Sequence, residues 1–91
     1  MLAKVTYNGN LFWTHCPEAF RIEDGYSHIG AVSSEEILEN VSLAEAAFCG
    51  HGICSIDTQD LRNFARWLIN LGYPVHIACG AARLIKNKYF L

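Results

Sequence analysis

Cysteine and histidine are the residues of this chain best suited to chemistry, and seven of the eight fall into three clusters: His15-Cys16, Cys49-Gly50-His51-Gly52-Ile53-Cys54 and His76-Ile77-Ala78-Cys79. Only His28 stands apart. Thiolates and imidazoles are the ligands zinc prefers, and together they also make nucleophile pairs. A structural zinc site needs four such ligands in a tetrahedron, usually from two closely spaced pairs. Cys49, His51 and Cys54 carry the right atoms, with glycines that would let the backbone wrap an ion, but their spacing matches none of the common knuckles. His76 and Cys79 would have to complete the set. If residues 75–79 form a strand, positions three apart point to opposite faces, so the pair converges only where Cys79 already lies in a turn. The spacing favours buried thiols and a polar loop over a structural zinc module. No cofactor is expected.

A nucleophilic thiol is the second chemistry to weigh. Cys79-Gly80-Ala81-Ala82-Arg83 follows an expected strand and precedes an expected helix. Tyrosine phosphatases and rhodaneses place their phosphate-cradling cysteine in the same way, where a helix amino terminus activates the thiol. Here only Gly80, Ala81 and Ala82 separate Cys79 from Arg83, which leaves too few backbone N–H groups to encircle a tetrahedral anion. The resemblance is to a placement and not to a motif. Cys49 or Cys54 with His51 lacks an identifiable orienting acid. The sequence holds no G-x-S-x-G, H-E-x-x-H, P-loop or G-x-G-x-x-G. A non-enzyme is expected, with thiol chemistry at Cys79 as the remote alternative.

Charge gives a stronger pattern than the clusters. The net charge is −2, yet all nine acids lie between Pro17 and Asp60, opposed there by Arg21 alone. After Asp60 come Arg62, Arg66, Arg83, Lys86 and Lys88 with no acid. Such asymmetry shapes the field around a small protein and bears on its partners. Arg62 and Arg66 share one polar helix face with Asn70, and Arg83 and Lys86 are three apart on a later segment. A nucleic-acid interface would use these residues, but the pI of about 6.0 and the acidic middle oppose phosphate binding. An acidic protein surface is the better match. Aromatic residues make up 12% of the chain, and Tyr, Trp and Arg dominate protein interfaces. Lys4, Trp13 and His15, on one hairpin face, would form a recognition patch if no helix covers them. The expected function is protein binding by Arg62, Arg66, Arg83, Lys86 and Trp13. Size and layout suit an accessory or inhibitor protein, including the bacteriophage type.

These side chains must be positioned by one small domain, since 91 residues leave room for no more. A chain this short buries only about 60–65% of its unfolded surface. At 52% hydrophobic and 18% charged it is too apolar for disorder, and no apolar run is long enough to span a membrane. Met1 to Thr6 alternates like a strand and lacks the apolar stretch of a secretory signal, so the four cysteines are expected as reduced thiols in a cytoplasmic protein.

Val5-Thr6-Tyr7, Asn8-Gly9 and Leu11-Phe12-Trp13 predict a hairpin with Val5 opposite Phe12. That pairing puts Ala3, Val5, Tyr7, Phe12 and Cys16 on the expected core side. Tyr26 to Val32 suits a third strand. Ser33 and Glu36 form a capping box ahead of a helix bearing Ile37, Val41, Ala44 and Phe48, and a second box at Ser42 to Glu45 allows the helix to split. Thr58 to Leu71, capped by Asp57, carries an apolar stripe of Leu61, Phe64, Ala65, Leu68 and Leu71, with Gly72 as its stop. Pro74 is expected to open a strand over Val75 to Ala78, and Gly80 a final turn or helix. The order predicts an α+β domain: a small, mostly antiparallel sheet with two to three helices packed on one face.

Overall fold

The computed structural model describes residues 1–49 and 58–89. Along the chain run β1 (Ala3–Tyr7), β2 (Asn10–Thr14), two single 3₁₀ turns (Pro17–Ala19 and Ile22–Asp24), β3 (Tyr26–Ala31), α1 (Ser34–Glu39), α2 (Val41–Cys49), α3 (Thr58–Asn70) and α4 (Val75–Tyr89). The expected α+β architecture is present. Its sheet is fully antiparallel, in the order β2-β1-β3.

The hairpin forms as its sequence dictates. Asn8 and Gly9 both adopt positive φ, 52° and 81°, the pattern of a two-residue turn whose twist matches the strands it joins. Val5 then pairs with Phe12 and Lys4 with Trp13. On the other side of β1 the register slips between Lys4 and Val5, a bulge that bends β3 near its end.

Which face of the hairpin meets the helices is the reverse of the expected one. The core cluster joins Leu2, Trp13 and Val32 from the sheet region to Ile37, Ala44, Leu61, Phe64, Leu68, Ile77, Ala81 and Ile85 from the helices. Lys4, on the Trp13 side, ion-pairs with Glu36 of α1 at 3.0 Å. Val5 is fully buried, but on the opposite side with Phe12, Tyr7 and Tyr26. There the connector after β2 supplies Phe20, whose ring meets Phe12 at 5.0 Å and Tyr26 at 5.2 Å. Tyr26 also stacks on Tyr7 at 4.7 Å. An imidazole nitrogen of His28 bonds the Phe20 carbonyl and ties the connector to β3. The sheet thus has an aromatic cluster on one face and the helices on the other.

The helix starts and stops follow local chemistry. Ser33 and Glu36 make the reciprocal capping box, and Asn40 breaks the run into α1 and α2. At the end of α3, Tyr73 N–H bonds the Leu68 carbonyl and Gly72 N–H bonds that of Ile69, with Gly72 at φ 103°: a Schellman stop. That turn carries Tyr73 back into the core. Its hydroxyl accepts from Leu2 N–H (3.1 Å) and donates to the Val32 carbonyl (2.8 Å), fastening the end of the sheet where β1 starts and β3 stops to the helices.

The strand expected over Val75 to Ala78 is instead the first turn of α4. Pro74 accepts from the N–H groups of Ile77 and Ala78 and so opens a helix. Ile77, Ala81 and Ile85, four apart, are all buried, a period that outweighs the local strand preference of Val75 and Ile77. Gly80 does not open the helix but lies inside it. A Cβ there would stand 3.3 Å from Leu38 Cδ2, so its absence lets α1 approach α4.

Candidate functional site

The α3–α4 hairpin brings most of the sequence-predicted cations together. On α3, Leu61 and Ala65 belong to the apolar stripe, and Arg62 follows Leu61 at its edge. On α4, Cys79, Ala82, Arg83 and Lys86 succeed one another at spacings of three, one and three, which is one helix face. Together these seven residues line a shallow groove of about 370 Å³ between the helices. Its floor is apolar and its walls carry Arg62, Arg83 and Lys86. Arg66 is exposed one turn further along α3 and does not line the groove.

Among the described residues, Lys4 pairs with Glu36 and Arg21 with Glu23 and Asp24, while Arg62, Arg66, Arg83 and Lys86 take part in no ion pair. Lys88 is engaged elsewhere, donating to Ser42 Oγ at 3.1 Å. The arrangement can hold carboxylates or phosphates on its walls while the floor receives a small apolar side chain. Arginine offers forked, bidentate donors to either anion.

Trp13 stands apart from this groove and is no exposed recognition residue. It is 4% exposed, because its side of the hairpin is the one the helices cover. His15, just past β2, is exposed and meets Trp67 edge-on at 5.9 Å.

The thiol expectations also need correction. Cys49 is disulfide-bonded, with its partner outside the described residues, whereas Cys16 and Cys79 are free. The bond removes Cys49 as a thiolate ligand. His51 and Cys54, the other proposed zinc ligands, lie outside the described residues. Among the described residues no group of three or more His, Cys, Asp or Glu could hold a metal ion. Cys79 occupies the second turn of α4, with neither a strand nor a cradle loop before it, so the phosphatase-like placement is absent. Instead it is an exposed thiol in the basic groove.

Sequence reasoning missed a second concavity, about 690 Å³, at the edge of the sheet beside β2. Its walls include Tyr7, Phe12, Trp13, Phe20 and Tyr26. The density of aromatics between Tyr7 and Tyr26 was the available signal; how they gather depends on the connector folding back. The chain matches no known protein family, no curated protein and no solved structure. Among the described residues no helix is long and apolar enough to cross a membrane.

Proposed function

We propose that the chain is a small non-enzymatic binding module of accessory or inhibitor type, whose α3–α4 groove docks an acidic segment of a partner protein. The observation that carries this is the convergence of Arg62, Arg83 and Lys86, none of them in an ion pair among the described residues, around one apolar-floored groove. Charges on the walls steer an acidic segment and set its register. Leu61, Ala65 and Ala82 on the floor favour an apolar side chain between the acids.

That combination favours a protein over a nucleic acid. Single-stranded nucleic acid is usually held by stacking platforms beside a basic track, and among the described residues the groove lining contains no aromatic ring. The test is titration of the ¹⁵N-labelled protein with a peptide carrying one leucine between glutamates, followed by NMR. Shifts should map to Arg62, Cys79, Ala82, Arg83 and Lys86. Replacing the leucine by serine should weaken binding several-fold, and added salt should weaken it further. An oligothymidylate that binds the groove more tightly, with the steeper salt slope of phosphate contacts, would replace the protein partner by a nucleic acid.

A further inference from the structure

We propose that the chain pairs with a second copy of itself, the α3–α4 groove of each copy taking α1 of the other. The inference rests on the reading of that groove as a surface for an acidic segment, and it names the segment. Of the nine acids, Asp57 lies outside the described residues. Glu36 pairs with Lys4, and Glu23 and Asp24 pair with Arg21. Glu45 is buried, and Asp60 is half-buried on α3 itself. That leaves Glu18, Glu35 and Glu39, all exposed and in no ion pair among the described residues. Two of the three stand on α1, with the 37% exposed Leu38 between them. Spacings of three and four put Glu35, Leu38 and Glu39 on one helix face. An acid–leucine–acid face is what an apolar floor between cationic walls accepts.

The two surfaces flank the same stretch of α4. Helix α1 packs against α4 at Gly80, where a Cβ would stand 3.3 Å from Leu38 Cδ2, and the preceding residue, Cys79, lines the groove. A two-fold axis beside α4 can therefore set α1 of each copy on the groove of the other, making the same contact twice. The groove alone, at about 370 Å³, is small for a stable interface. Doubling the contact enlarges it, and the outcome is a weak, concentration-dependent dimer. The acids between Pro17 and Asp60 and the bases after Asp60 thereby supply opposite halves of one self-complementary surface.

The experiment is sedimentation equilibrium of the full chain at low and high salt. A dimer should form at low salt, and its dissociation constant should rise as salt screens the contact. Glu35→Lys/Glu39→Lys and Arg62→Glu/Arg83→Glu should each raise that constant at least about tenfold, because like charges then face each other. One chain carrying all four substitutions keeps the parent's net charge and inverts both halves of the contact, so its dimer should return. Glu18→Lys, away from the contact, should leave the dimer intact. All five positions are exposed, so circular dichroism should find every variant folded. A parent chain still monomeric at low salt and about 1 mM would overturn the proposal. If the peptide with leucine between glutamates nonetheless shifts the groove resonances, the groove reading stands and its occupant is another protein. If that peptide fails as well, the groove reading falls with the dimer. A dimer that ignores salt and both reversals, or a four-fold variant that stays monomeric, would also overturn it.

Discussion

Tyr73→Phe isolates the interaction that ties the sheet to the helices. The hydroxyl accepts from Leu2 N–H at 3.1 Å and donates to the Val32 carbonyl at 2.8 Å. Tyr73 is 2% exposed, and Leu2 and Val32 are fully buried, so water cannot replace the lost partner. Phenylalanine keeps the ring packing, and the loss is therefore confined to polar groups. Leaving a buried donor or acceptor unsatisfied costs about 1–3 kcal/mol, and two such groups with partial relaxation give roughly 2–4 kcal/mol. That is a large share of the roughly 5–15 kcal/mol that holds a small domain together. At about 4–8 °C per kcal/mol for a domain of this size, the melting temperature should fall by roughly 10–30 °C. The assay is thermal and urea denaturation followed by circular dichroism, with Tyr7→Phe, at an exposed ring, as the control. The urea slope should be unchanged, because the surface exposed on unfolding is the same. A Tyr73→Phe protein melting within about 2 °C of the parent, as the control should, would refute the reasoning and show that the hydroxyl bridge contributes little.

Phe64 is fully buried between Phe48 and Trp67, at ring separations of 5.5 and 6.0 Å; Phe64→Ala should cost about 3–5 kcal/mol by denaturant melt. Stability should also depend on pH at both extremes. Glu36 is held below its ordinary value of 4.5 first by the Lys4 hydrogen bond and then by Ser33 N–H, so its contribution is complete above about that pH. It is lost as pH falls through the lowered folded value, and Glu36→Gln should flatten that acid limb. Burial raises the Tyr73 phenol above 10.0, so the folded state keeps its proton longer than the unfolded chain. Stability from this source is intact below about pH 10 and declines as pH rises through the folded value; Tyr73→Phe should remove the alkaline limb. Finally, with Cys16→Ser in place, Cys79 should react with dianionic 5,5′-dithiobis(2-nitrobenzoate) faster than with cationic cystamine, each normalised to a neutral model thiol. The bias should be about tenfold at low salt, fall as salt rises, and reverse in Arg62→Glu/Arg83→Glu. A bias that ignores both salt and the double variant would remove the basic groove as a source of steering.

What the sequence alone determined is local. The Asn8-Gly9 turn, the Ser33–Glu36 capping box, the α3 stripe and the Gly72 stop are each specified within a few residues, and each appears at its expected place. The charge split could be read directly too, because it is a property of composition along the chain. The tertiary structure decided which surfaces face each other. Period-two alternation defines two hairpin faces but cannot say which the helices will cover, and α1 settles against the Leu2 and Lys4 side. Trp13 was misplaced for that reason alone. In α4 the spacing of Ile77, Ala81 and Ile85 becomes decisive only when α1 and α3 supply a surface for it to bury against; without them Val75 and Ile77 read as a strand. The groove likewise exists only because the Schellman turn folds α4 back along α3, joining cations more than twenty residues apart into one wall. Secondary structure follows from short-range hydrogen bonding and backbone preference. A site made by two packed elements requires long-range burial to choose the face each one presents.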